Sequence, residues 1–119
     1  MKPVCITMGD PAGVGPELII RLLNQLNFSK SPALLLIGDR AILEYALEKF
    51  GDRYAKFWFN HPKIFDQNQK RIIPDAKLNI LSLSQISPKK IQIERGSAKH
   101  GKASWKYIEA GVKLCRSGI

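Results

Sequence analysis

Gly9-Asp10-Pro11-Ala12-Gly13-Val14-Gly15-Pro16-Glu17 constrains this 119-residue chain more than any other segment, because it joins an apolar strand to a helix through a glycine-rich turn carrying an acid. Lys2 to Thr7 reads as the strand. The helix after the turn has Ile19, Leu22, Leu23 and Leu26 at i, i+3, i+4 and i+7. The turn therefore lies at the carboxyl end of a strand, where open α/β sheets bind ligands, and its glycines let a backbone approach a ligand closely. Pro11 disfavours a helical Asp10, so the acid is expected to be extended with its carboxylate fixed in direction. Pro16 suits a first helical position behind Gly15 as N-cap. The exposed amides there would attract an anion, unless Glu17 already answers the helix dipole. Glycine and proline alone fit a plain connection equally well.

The rest of the chain reads as α/β. Ala33 to Ile37 is a continuous apolar run of the buried parallel-strand kind. Arg40 to Phe50 follows as a helix with Leu43, Ala46, Leu47 and Phe50 on one face and Gly51 as its stop. Lys56 to Asn60 and Leu78 to Leu83 read as further strands separated by a polar segment from His61 to Asp75, and Ser104 to Cys115 reads as a last helix. The sum is a partial doubly wound, Rossmann-like sheet.

The full motif string resembles the opening of the 4-hydroxythreonine-4-phosphate dehydrogenase family. The strand ending in Gly38-Asp39 and the segment Gly96-Ser97-Ala98-Lys99-His100-Gly101-Lys102-Ala103 resemble the same family. The resemblance implies NAD- or NADP-dependent oxidation of the secondary alcohol of 4-hydroxythreonine 4-phosphate, followed by decarboxylation to an amino-ketone phosphate for vitamin B6 biosynthesis. It also implies a divalent metal (zinc, magnesium or cobalt), a small phosphorylated amino-acid substrate and a homodimer. Carried onto this chain, it marks Gly9, Asp10, Gly13, Gly15 and Glu17 as a loop near cofactor or substrate. The family's catalytic residues, metal histidines and most phosphate contacts fall beyond residue 119, so no catalytic or metal residue is assigned.

Family members run to roughly three hundred residues, two domain-sized units. Residues 1–119 are thus expected to be an incomplete, amino-terminal α/β domain of a larger two-domain dehydrogenase, inactive alone and binding no cofactor tightly. Ser117-Gly118 stops the last helix where the family continues into a buried strand, which would leave Ile108, Val112 and Leu114 on an apolar face beside an open sheet edge. Two alternatives stand beside this reading. The motif is similar to the shorter glycine-aspartate-glycine string of isocitrate and isopropylmalate dehydrogenases, although Pro11-Ala12 favours the vitamin B6 family. A truncated, non-catalytic remnant is the other, and the DNA after codon 119 separates a clipped reading frame from a decayed one.

A net charge of +9 raises the question of nucleic acid. The lysines are scattered, with Lys89-Lys90 and Lys99 to Lys106 the densest stretches, and no zinc-finger, basic-zipper or RNA-recognition signature occurs. A solvated basic surface is the expectation, with no nucleic-acid or membrane partner. Cys5 and Cys115 are too few and too far apart in sequence for a disulfide framework or a metal motif and read as core thiols; His61 and His100 share no ligand spacing and read as surface residues. No secretory signal or membrane span is legible, so a cytoplasmic setting is expected.

Overall fold

The computed structural model describes residues 2–69, 71–89 and 98–118. Gly96, Ser97 and Lys90, all used in the sequence reading, lie outside the described residues. The elements run β1 (Val4–Thr7), α1 (Gly15–Gln25), β2 (Leu34–Asp39), α2 (Arg40–Phe50), α3 (Arg53–Trp58), β3 (Lys63–Asp66), β4 (Leu78–Ser84) and α4 (Ala98–Arg116). The strands form one parallel sheet in the order β1-β2-β4-β3. This is the expected α/β class.

The second strand is the centre of the core, with all six of its residues buried. Parallel strands covered on both faces need no polar side, which is why its sequence does not alternate. Register sets the layers. Val4 to Thr7 pair in step with Leu34 to Ile37, and Leu34 to Ile37 with Leu78 to Leu81. Thr7 and Ile37 meet the backbone of Gly111 in α4, so alternate residues such as Leu34 and Leu36 face the other side. On that side α1 packs against α2 and α3, whereas α4 packs directly on β1, β2 and β4. Fully buried Leu35, Leu36 and Ile37 each contribute about 1.5–3 kcal/mol of transfer free energy.

Several parts of the sequence reading need correction, among them the last helix, which starts at Ala98 and not at the expected Ser104. Arg53–Trp58 is a helix, so the aromatic stretch from Lys56 to Asn60 is no strand. Asp52 caps it by accepting the Ala55 amide at 2.8 Å, and Asn24 clamps its entry, donating to the Phe50 carbonyl and accepting the Asp52 amide. Trp58 then stacks on buried Phe28, centroids 4.5 Å apart. The neighbouring polar segment contains β3, which forms the edge beyond β4. Its lysine bridges to Asp75 at 2.6 Å, holding that exposed carboxyl below the usual carboxylate range. The first helix begins one residue early, at Gly15 behind Val14, within the ordinary uncertainty of helix ends.

Candidate functional site

Three strands deliver their carboxyl ends to one region. The end of β1 supplies Met8, Gly9 and Asp10; β2 supplies Gly38 and Asp39; β4 supplies Ser82 and Ser84. The start of α4 returns over the same end, bringing His100 and Tyr107.

The motif turn is held from within. Asp10 accepts the Ala12 amide through its side chain at 2.8 Å and the Gly13 amide through its carbonyl at 2.9 Å. Its carboxylate is thereby fixed, as its proline neighbour suggested. Those bonds occupy two amides of the turn, and Pro11 and Pro16 have none, so the turn is better equipped to present an acid than to cradle a phosphate. Glu17 is bound to Arg21 at 3.1 Å one helical turn on. The glycines have separate reasons. Gly9 sits at φ +74°, where other side chains are strained. A Cβ on Gly15 would stand 1.9 Å from the Met8 carbonyl oxygen, and one on Gly38 would stand 2.6 Å from the Met8 Cβ. Gly13 is exposed at the rim. Gly9, Asp10 and Gly13 lie in the turn and Gly15 and Glu17 in the first turn of α1; of these, Gly13 and Glu17 line a cavity of about 330 Å³ that reaches Tyr45 and Lys49 of α2.

Asp39 enters the sequence reading only as part of a resemblance. It is wholly buried, caps α2 by accepting the Ile42 amide at 3.2 Å, and accepts the Ile86 amide at 2.6 Å. One carboxylate thus ties the end of β2, the start of α2 and the segment after β4. An acid between a strand's glycine and a helical pattern is an N-cap signal, so the capping half of this role was readable. The other half is a contact across 47 positions.

Facing it, the Tyr107 hydroxyl shares a hydrogen bond of 2.7 Å with Ser84. Burial pushes the Tyr107 phenol up to about 12 against a pull from Ser84, and the negative charges of Asp39 and Asp10 push the same way as burial. Tyr107 is a neutral hydroxyl at ordinary pH. It lines a cavity of about 390 Å³ between β4 and α4, with Lys99, His100, Lys102 and Lys106. His100 is 1% exposed, so its reading as a surface residue is corrected. Its histidine-lysine segment enters the chain as the first turn of α4, and the helix face that packs on β4 takes the ring inward. His61 is exposed, as expected, beside the Asn60 amide.

Among the described residues no group of three His, Cys, Asp or Glu side chains is placed to hold a metal ion. No helix among them is long and apolar enough to cross a membrane.

No protein-family model matches the chain. A 4-hydroxythreonine-4-phosphate dehydrogenase of Trichlorobacter lovleyi is 30% identical over 118 residues, covering 98% of this chain and 34% of the relative. The chain is a relative of the 4-hydroxythreonine-4-phosphate dehydrogenases. A Clostridium botulinum protein under the provisional name D-threonate 4-phosphate dehydrogenase is 27% identical over the same span. The crystal structure of a 4-hydroxythreonine-4-phosphate dehydrogenase from Burkholderia phymatum superposes with a TM-score of 0.69 at 26% identity, over 99% of this chain and 34% of that one. This chain spans about a third of the length of the curated relatives it matches.

Proposed function

We propose that residues 1–119 form an incomplete α/β domain that supplies one wall of a dehydrogenase site for a phosphorylated four-carbon hydroxy acid. The observation that carries this reading is the match of 98% of this chain to about a third of a dehydrogenase of that substrate class, with the motif turn at the carboxyl end of β1. The favoured substrate is 4-hydroxythreonine 4-phosphate, oxidised at its secondary alcohol and then decarboxylated on the way to vitamin B6. D-Threonate 4-phosphate, from the name of the Clostridium relative, differs in carrying a hydroxyl where the former has its 2-amino group.

A nicotinamide dinucleotide, NAD or NADP, accepts the hydride in such a reaction. In this chain Gly9, Asp10, Gly13, Gly15 and Glu17 form the proposed wall. Asp10, held by its own turn, points a fixed acceptor toward a substrate hydroxyl or amine, and Gly13 keeps the rim low. Tyr107 offers a neutral hydroxyl on the neighbouring side. The described residues do not fit a divalent metal, so no step is derived through one. The substrate phosphate and the remaining polar groups are assigned to the part of the enzyme outside this chain, in a homodimer.

The test grafts residues 1–119 onto the Trichlorobacter relative in place of its matching third. The expected chimera is folded and reduces NAD or NADP with 4-hydroxythreonine 4-phosphate, whereas the 119-residue chain alone gives no turnover. Turnover with D-threonate 4-phosphate only would move the substrate to the second reading. A folded chimera inactive on both would sink the proposal.

A further inference from the structure

Cys5 and Cys115, 110 positions apart, meet where α4 crosses β1. Gly111 sets the approach. The place its Cβ would take is 3.5 Å from the Thr7 and Ile37 side-chain methyls, so the helix rides close on the sheet there. From that crossing, α4 runs back toward the amino ends of the strands, since Tyr107 one turn earlier touches Ser84 at the end of β4. Four helical residues rise about 6 Å, and two strand residues span about 6.6 Å. The step from Gly111 to Cys115 therefore matches the step from Thr7 to Cys5. Both thiols line one cavity of about 440 Å³, together with Ile108 and Val112.

We propose that Cys5 and Cys115 form a reversible disulfide that fastens α4 to β1, with a low-molecular-weight disulfide of the glutathione class as oxidant. Cys115 is exposed, which corrects its reading as a core thiol, and Cys5 is partly buried, so the reaction starts at Cys115. Its thiolate attacks one sulfur of the oxidant, forms a mixed disulfide and releases the first thiolate, which takes a proton from water. Cys5 then loses its proton to solvent and attacks the Cys115 sulfur, expelling the second thiolate. The two cysteine sulfurs lose two electrons and the oxidant gains two, ending as two thiols.

The environment assigns the same order. Burial pushes the Cys5 thiol up to about 11, and the Cys115 thiol adds to the push by charge and by a thiol–thiol hydrogen bond. Only a small thiolate fraction exists at Cys5 near neutral pH, so ring closure is the slow step and quickens as pH rises. The bridge would anchor α4 at the amino end of β1, the strand whose other end carries Gly9 and Asp10.

The experiment equilibrates the purified full chain with oxidised glutathione, counts free thiols and maps peptides under non-reducing conditions. The expected result is loss of both free thiols with a Cys5 peptide linked to a Cys115 peptide in one chain, formed about tenfold faster for each pH unit between 7 and 9. Cys5→Ser should stop at glutathione attached to Cys115. A wild-type product that keeps Cys5 free, or that links two chains through Cys115, overturns the proposal. Peptide mapping of the wild type decides this even if the variant fails to fold.

Discussion

Gly15 and Gly101 show what a glycine means when its surroundings are known. In Gly15 a methyl group would collide with the Met8 carbonyl oxygen, backbone against backbone. The expected outcome of Gly15→Ala is a loss of several kcal/mol, on the order of 3 or more, or failure to fold. Gly101 lies inside α4 with nothing within 4 Å of the same position. Gly101→Ala should gain roughly 0.5–1 kcal/mol from helix propensity alone. Urea unfolding of the two variants checks the pair, and similar effects at both sites would contradict the packing argument. The sequence announced a special backbone between Gly9 and Gly15. It could not say that Gly15 is fixed by its own chain, because the colliding atom belongs to a strand end brought back by the turn.

Tyr107 gives a pH prediction at the same scale. Its folded proton affinity is raised from the ordinary 10 to about 12, so the neutral phenol's contribution is fully present below pH 10 and lost as pH climbs through 12. Wild-type stability should therefore fall more steeply than that of Tyr107→Phe across that window. Near pH 7 the phenylalanine variant should be less stable by about 1 kcal/mol for the lost Ser84 bond. Parallel unfolding curves from pH 9 to 12 for the two proteins would refute the assignment.

Among the elements, β1, β2, β4 and α2 were legible and β3 and α3 were not, for a physical reason. The unbroken apolar run Leu34 to Ile37, buried on both faces, and the helix Arg40–Phe50, buried on one, each carry their whole pattern within the segment. Phe57-Trp58-Phe59 has no such period. Its strand-like composition is overridden by a cap at Asp52, a clamp from Asn24 across 28 positions and the ring of Phe28. Asp52→Ala should then cost about 1 kcal/mol through loss of the cap, with helical signal falling by less than a tenth. An unchanged midpoint in thermal unfolding would show that Phe28 and Trp58 hold α3 without it. The same limit applies at the site. The restraint on Asp10 was legible because it is local, whereas Asp39 with Ile86 and Ser84 with Tyr107 arise from contacts 47 and 23 positions apart.

At the scale of the molecule, an apolar surface stays uncovered on α4 and β1 among the described residues. Trp105, Ile108 and Val112 stand 66%, 43% and 47% exposed on α4, and Val4 is exposed on β1, one of the two edge strands of the sheet. Leu114, expected on this face, turns inward and packs on the core instead. An apolar helix stripe beside an unpaired strand edge favours self-association, since both the burial and the backbone pairing are satisfied by a second molecule. The expected outcome is concentration-dependent association seen by size-exclusion chromatography with light scattering, with binding of a hydrophobic dye. Replacing Ile108 and Val112 by lysine should shift the chain to a monomer with little change in unfolding midpoint, because exposed positions away from packing or caps usually alter stability by no more than about 0.5 kcal/mol. A sharp wild-type monomer peak without dye binding would mean that α4 and β1 close on themselves in solution. The incomplete-domain reading of this chain would then fail, whatever the grafted dehydrogenase does.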